Sequence, residues 1–199
     1  MNKQPEITEA TRQNFVQAYL RLFENKDPAR ITVKDITAVA GYSRQTFYNY
    51  FRDPWEVLDY IEERYLDVMF RHVTDALGRG LTMDGFMDNF LQLARENKEH
   101  SGVFVLLSGR PEFIEKARAR AVPVMQNMLG IPEEDRASYY VLGMYVRGLI
   151  PTLGEWLGKD EGLSEGELTE GELTEQEMGE AIRNVLRIGV LGALKGTGE

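Results

Sequence analysis

Between Thr32 and Phe51 the sequence reads TVKDITAVAGYSRQTFYNYF, which fits a helix start, a helix stop and a second start into one short stretch. Thr32 followed three residues later by Asp35 has the form of a capping box. Ile36, Val39 and Ala40 then give a short inward stripe, and Gly41 stops the helix as a glycine after the C-cap commonly does. Ser43 is placed to cap the next helix. A longer helix precedes this pair, with Thr8 as its expected cap and Phe15, Ala18, Tyr19, Leu22 and Phe23 recurring on one face. Asp27-Pro28 closes it, because proline disfavours the α conformation in the residue before it. Three helices in this order, the last two joined by a tight glycine turn, make a helix-turn-helix unit.

The rest of the chain also reads as helix. Asp53-Pro54-Trp55-Glu56 combines a cap, an early proline and an acid in the first turn. The helix it opens carries Leu58, Ile61, Tyr65, Val68 and His72 inward to about residue 76. Gly78 and Gly80 mark a break. Met83, Phe86, Met87, Phe90, Leu91 and Ala94 then form another helical stripe. The apolar run GVFVLLSG (102–109) suits a strand or a buried helix, and its helical neighbours favour helix. Pro111 opens a further helix that Pro123 should kink or split. Pro132 with the acids after it reads as the start of a helix to about Leu157, bent near Pro151. GELTE then occurs twice in tandem, at 166–170 and 171–175, as an acidic, glycine-bearing linker. Thr174 and Glu177 can cap the last helix, 175–195, which carries Met178, Ala181, Ile182, Val185, Leu186, Gly189 and Ala193 on one side. The expected fold is all-α, with about nine helices. A helix-turn-helix domain over residues 1–53 is joined by the helix 54–76 to a larger helical domain over 77–199.

Charge separates these parts. The whole chain of 199 residues has a net charge of −9. Residues 1–52 carry eight basic against five acidic side chains, a net +3, which leaves −12 for the remainder. A basic head on an acidic body suits a nucleic-acid-binding module joined to something else. After Asp35 the helix-turn-helix stretch has no acid, as expected of a segment that lies among phosphates. Near the start of the second short helix, Arg44 can pair with guanine and Gln45 with adenine. Ser43, Thr46, Tyr48 and Tyr50 can bond phosphate oxygens, which fixes register without reading sequence. Phe47 and Phe51 are core residues. Helix-turn-helix shapes also occur in proteins that never touch DNA.

The stretch ITVKDITAVAGYSRQTFYNYFRDPWEVL resembles the N-terminal domain of the TetR family of bacterial transcriptional regulators. The resemblance rests on Ala40, Gly41, Ser43, Thr46, Phe47, Tyr48, Tyr50 and Phe51. The C-terminal two-thirds is similar to the dihydroxyacetone-kinase regulators of that family only in being helical and of suitable length. The resemblance implies a repressor that binds a palindromic double-stranded DNA operator as a homodimer and lets go when a small molecule binds the C-terminal domain. It also implies roles by position. Lys34, Arg44, Gln45 and Tyr48 would face bases or the groove, and Thr32, Ser43, Thr46 and Tyr50 would hold the backbone. Asn49 and Arg52 complete the expected interface. Two residues depart from the pattern. Tyr42 stands where an aliphatic residue is usual, and Pro54 where many members have a phosphate-contacting lysine, a charge that Arg52 would have to supply.

Expected effector-pocket residues are Met87, Phe90, Phe104, Phe113, Met125, Met128, Tyr140, Met144, Tyr145 and Arg147, a methionine and aromatic mix that suits either an apolar cavity or plain core. Arg147 either meets an anionic effector or pairs with a surface glutamate. Small residues beside apolar ones put the expected dimer contact on Leu186, Gly189, Val190 and Ala193. No cofactor and no metal site is expected. The chain has no cysteine and only two histidines, His72 and His100, so no nucleophile or metal constellation assembles. An enzyme is therefore not expected. The first residues lack the apolar core of a signal peptide. The apolar stretch at 139–157 is interrupted by Arg147, Pro151 and Glu155. No membrane partner and a cytoplasmic location follow as expectations. The rival to DNA binding is a family relative that acts as a protein–protein adaptor or coactivator.

Overall fold

A computed structural model describes residues 5–78, 80, 82, 85, 98–160, 174–190 and 192. The described residues contain eight α-helices and no strand. They are α1 (Pro5–Phe23), α2 (Val33–Ala40), α3 (Arg44–Tyr48), α4 (Pro54–Leu77), α5 (Lys98–Ser108), α6 (Pro111–Leu129), α7 (Arg136–Asp160) and α8 (Glu175–Asn184). A 3-10 turn (Pro28–Arg30) lies between α1 and α2, and a π-helical segment (Val185–Val190) continues α8. The chain divides into two compact units, Met1–Val68 and Met69–Glu199, so the division falls inside α4. Among the described residues no helix is long and apolar enough to cross a membrane.

In the first unit α1 packs on α2, and α2 on α3. Phe15 is the hub: its ring lies 5.2 Å from that of Tyr42, 5.3 Å from Phe47, 6.0 Å from Tyr50 and 6.5 Å from Phe51. Ala18, Tyr19, Ile36, Val57, Leu58 and Ile61 are also buried in this unit. Helix α1 already runs from Pro5, so Thr8 lies inside it rather than capping it. Val39 is exposed, and the inward face of α2 is carried by Ile36 and Thr37 instead. On α4 His72 is exposed where the sequence suggested an inward position. The buried line runs through Leu58, Glu62, Leu66 and Val73, and residue 72 is turned about 100° from residue 73 on a helix with ~3.6 residues per turn.

In the second unit α7 packs against α5 and α6. Helix α7 starts at Arg136, not at Pro132. Residues 132–135 form a turn closed by the Asp135 N–H to the Pro132 carbonyl at 3.0 Å. The Asp135 carboxylate then accepts from the N–H groups of Ala137 (3.0 Å) and Ser138 (3.2 Å), so the acid caps the helix that it was expected to occupy. Helix α6 runs unbroken through Pro123 and α7 through Pro151. Pro123 sits on the exposed side of α6, where water can satisfy the carbonyl it leaves unbonded. The run at 102–109 is helical as expected, as part of α5. Helix α5 meets α7 at Gly154. A Cβ there would lie 1.8 Å from Ser108 Oγ, so only glycine fits. The predicted capping box at Thr174 and Glu177 is present and opens α8. The GELTE repeat before it falls almost wholly outside the described residues.

Candidate functional site

The turn between α2 and α3 is built as its sequence implies. Thr32 Oγ1 accepts from the Asp35 N–H at 3.3 Å, and the Asp35 carboxylate accepts from the Thr32 N–H at 2.9 Å. Lys26 donates to the same carboxylate at 2.7 Å. That bond, with those from the Thr32 hydroxyl (2.7 Å) and the Thr32 N–H, holds the Asp35 carboxyl at a pKa of about 2. Gly41 has φ 73°, a left-handed conformation that glycine adopts without steric cost. Its N–H and that of Tyr42 both close on the Thr37 carbonyl, at 3.0 and 3.1 Å. Ser43 Oγ caps α3 by accepting from the Thr46 N–H at 3.0 Å, and it lies 2.9 Å from Thr46 Oγ1.

This frame fixes which side of α3 is free. Phe47 is fully buried, and it anchors the helix to Phe15. Arg44, Gln45, Tyr48 and Asn49 are exposed. Lys34 and Thr32 on the α2 side are exposed too, while Thr46 and Tyr50 are half-buried. The expected interface residues thus comprise a donor-rich outer face and a row of short hydroxyls near the cap. Tyr42 departs from an aliphatic residue but is tied in place, since its hydroxyl accepts from Asn14 Nδ2 at 3.0 Å and its ring packs at a tilt against Phe15.

At the start of α4 the Asp53 carboxylate accepts from the Glu56 N–H at 2.9 Å, the main cause of its lowered pKa. The Glu56 carboxylate accepts from the Arg52 N–H. The Arg52 guanidinium is exposed but lies 3.2 Å from Asp53, so part of its charge is answered within the chain. Trp55, next to Pro54, is exposed. Sequence reading gave it no role, and its only signal there was its place beside the proline.

The second unit contains a partly open apolar cavity of about 70 Å³. Phe104, Phe113, Met125, Met128 and Tyr145 line it, as do Met69, Phe70 and Val73 from the last turns of α4. Reading by periodicity missed the three α4 residues because it placed the inward face one position away. Tyr140, Met144 and Arg147 do not reach this cavity. Tyr140 and Met144 are exposed, and Arg147 binds the Glu115 carboxylate through Nε (2.5 Å) and Nη2 (3.1 Å). Arg118 donates to the same carboxylate at 2.9 Å. Together, with Arg147 foremost, they hold the Glu115 pKa at about 2. Met87 and Phe90 lie outside the described residues.

A second feature of this unit is an open groove between α7 and α8. Met144, Gly148, Ala181, Val185 and Gly189 line it. Of the expected contact residues, Leu186 and Val190 are buried in the single chain, continuing the line of Met178 and Ile182, and Val190 together with Gly189 also lines this groove. The large apolar side chains left exposed by the described parts of α7, α8 and the π segment are Tyr140, Met144, Val185 and Ile188. Ala193 lies outside the described residues.

Residues 15–58 match the family model of bacterial regulatory proteins of the tetR family. No curated protein matches the chain. By structure it is similar to the dihydroxyacetone kinase operon activator DhaS, with a TM-score of 0.57 and 16% identity over 91% of this chain and 96% of that one. It is similar to the fatty acid degradation regulator FadR from Bacillus halodurans, with a TM-score of 0.60 and 14% identity over 96% and 98% of the two chains. A tetR-family transcriptional regulator from Streptomyces coelicolor has a TM-score of 0.57 and 19% identity over 90% of this chain and 82% of that one. At these identities the likeness is one of fold. Residues 15–58 are a tetR-family N-terminal domain, and the chain has the all-helical fold of that family's transcriptional regulators.

Proposed function

We propose that this protein is a transcriptional repressor that binds a palindromic double-stranded DNA operator as a homodimer and is released when a small molecule enters its C-terminal unit. The observation that carries the reading is the outer face of α3. Arg44, Gln45, Tyr48 and Asn49 stand exposed and free of acids while Phe47 holds the helix from behind. Such a helix can enter the major groove and set its first turn against base edges. Lys34 belongs with this groove-facing set, and Thr32, Ser43, Thr46 and Tyr50 are the phosphate-side residues of this reading.

Dimerisation supplies the second reader that a palindrome needs. A second copy of the chain is the proposed occupant of the exposed apolar face of Tyr140, Met144, Val185 and Ile188. One specific observation favours the rival reading of a relative that acts as a protein–protein adaptor: the Arg52 guanidinium, the expected substitute for the missing lysine at residue 54, leans on Asp53. A gel shift of the protein against the DNA flanking its own gene separates the two. A discrete shift that survives nonspecific competitor supports specific DNA binding at that site, and its absence from the flanking DNA and from selected random duplexes favours the adaptor. A reporter driven by the bound promoter then gives the sign of regulation.

A further inference from the structure

The lining of the cavity in the second unit has no charged side chain among the described residues. Among the described lining residues Tyr145 carries a hydroxyl, which donates to the Ile182 carbonyl at 3.4 Å. Burial pushes the Tyr145 pKa up to about 12, so the phenol is neutral. Of the two expected roles of Arg147, meeting an anionic effector or pairing with a surface glutamate, the structure has the second, with Glu115 as its partner. A charged head group placed against these described residues would lie desolvated with no counter-ion among them, and even a hydroxyl would lose its water partners with little in return.

From this lining we infer that the effector is a neutral, hydrocarbon-like molecule, an aromatic ring or short alkyl group without an ionised head. The inference rests on the cavity being the effector site, and it names the ligand class of that site. The volume of about 70 Å³ is small, but three of the lining residues, Met69, Met125 and Met128, are methionines. Methionine is unbranched and repacks at low cost, so the cavity can widen to admit a ring. An apolar cavity of this kind stays dry and takes up apolar guests.

Fluorine NMR titration of the full chain, without DNA, tests the ligand class. The probes share one ring: fluorobenzene, para-fluorophenol and para-fluorobenzoate. Fluorobenzene should bind roughly 100-fold more tightly than the benzoate, with the phenol between them. Ala121→Phe, which fills the cavity from α6, should abolish fluorobenzene binding, and Met125→Ala, which enlarges it, should strengthen binding. Two variants of opposite sign keep the test decisive if one fails to fold. Benzoate binding as tight as that of fluorobenzene, no binding of fluorobenzene, or binding unchanged in the folded variants would overturn the inference. Release of bound DNA by fluorobenzene is a separate measurement. Binding without release would keep the ligand class and remove the cavity's regulatory role.

Discussion

Two glycines of this chain are required for different reasons. At Gly41 an added Cβ would meet nothing within 4 Å, but φ is 73°. At Gly154 the backbone is helical, but the Cβ would lie 1.8 Å from Ser108 Oγ and 2.5 Å from its Cβ. Gly41→Asn should therefore be milder than Gly41→Val, because asparagine tolerates the left-handed region and a β-branched residue does not. Gly154→Ala should cost ~1–3 kcal/mol, the usual range for overpacking. Ser108→Gly should recover most of that loss in the double variant, since the remaining Cα lies 3.9 Å away. Denaturant midpoints of the single and double variants check both claims, and additive losses would refute the second. At the interface the matching contrast is between reader and holder. Arg44→Ala should relax base preference at one position of each half-site by ~1–3 kcal/mol. Thr46→Ala should weaken all sequences about equally. Selection from a random duplex library reads both outcomes, and an unchanged site logo for Arg44→Ala would remove it as a reader.

At the scale of single elements, α2 depends on one carboxylate. Asp35 serves the capping box and receives Lys26, and it is held at a pKa of about 2. A carboxyl that is depressed in the folded chain and ordinary in the unfolded chain contributes stability above pH ~4, and that stability is lost as the pH falls towards the folded value. Thermal midpoints followed from pH 5 to pH 2 should therefore drop, and Asp35→Asn should flatten part of the slope. Glu115, also held at about 2, accounts for further slope in the same window. The same element shows what a sequence discloses. The box at Thr32, the stop at Gly41 and the cap at Ser43 were legible because each is a bond within a few residues. The inward face of α4 and the core placement of Leu186 and Val190 were not. Tertiary packing chooses between adjacent positions on a helix, and an apolar side chain looks the same in a core as at an interface. The cavity was half legible for the same reason: Phe104, Phe113, Met125 and Met128 read as apolar, but nothing local told that Tyr140 and Met144 would face outward.

For the whole molecule, the number of phosphates neutralised sets how binding responds to salt. Lys34, Arg44 and Arg52 are the exposed cations of the proposed interface in each chain. If each meets a phosphate or base in both protomers, the slope of log K against log salt is at most roughly −5. The body, at a net −12 of the total of −9, adds no attraction. Assembly is the stronger constraint, because one reader contacts only half a palindrome. Ile188 is 70% exposed and Met144 68%, so a glutamate at either position disturbs little in the single chain. Placed at a contact between copies, the same glutamate would bring two like charges into an apolar seam. Ile188→Glu should therefore leave the circular dichroism spectrum in place, convert a dimer to a monomer in sedimentation velocity, and weaken operator binding steeply. Leu186→Glu, which charges a buried position, should lower stability directly. An Ile188→Glu protein that sediments as a dimer at micromolar concentration would move the contact off this face, and a wild-type monomer that still binds a full palindrome cooperatively would remove the preformed dimer altogether.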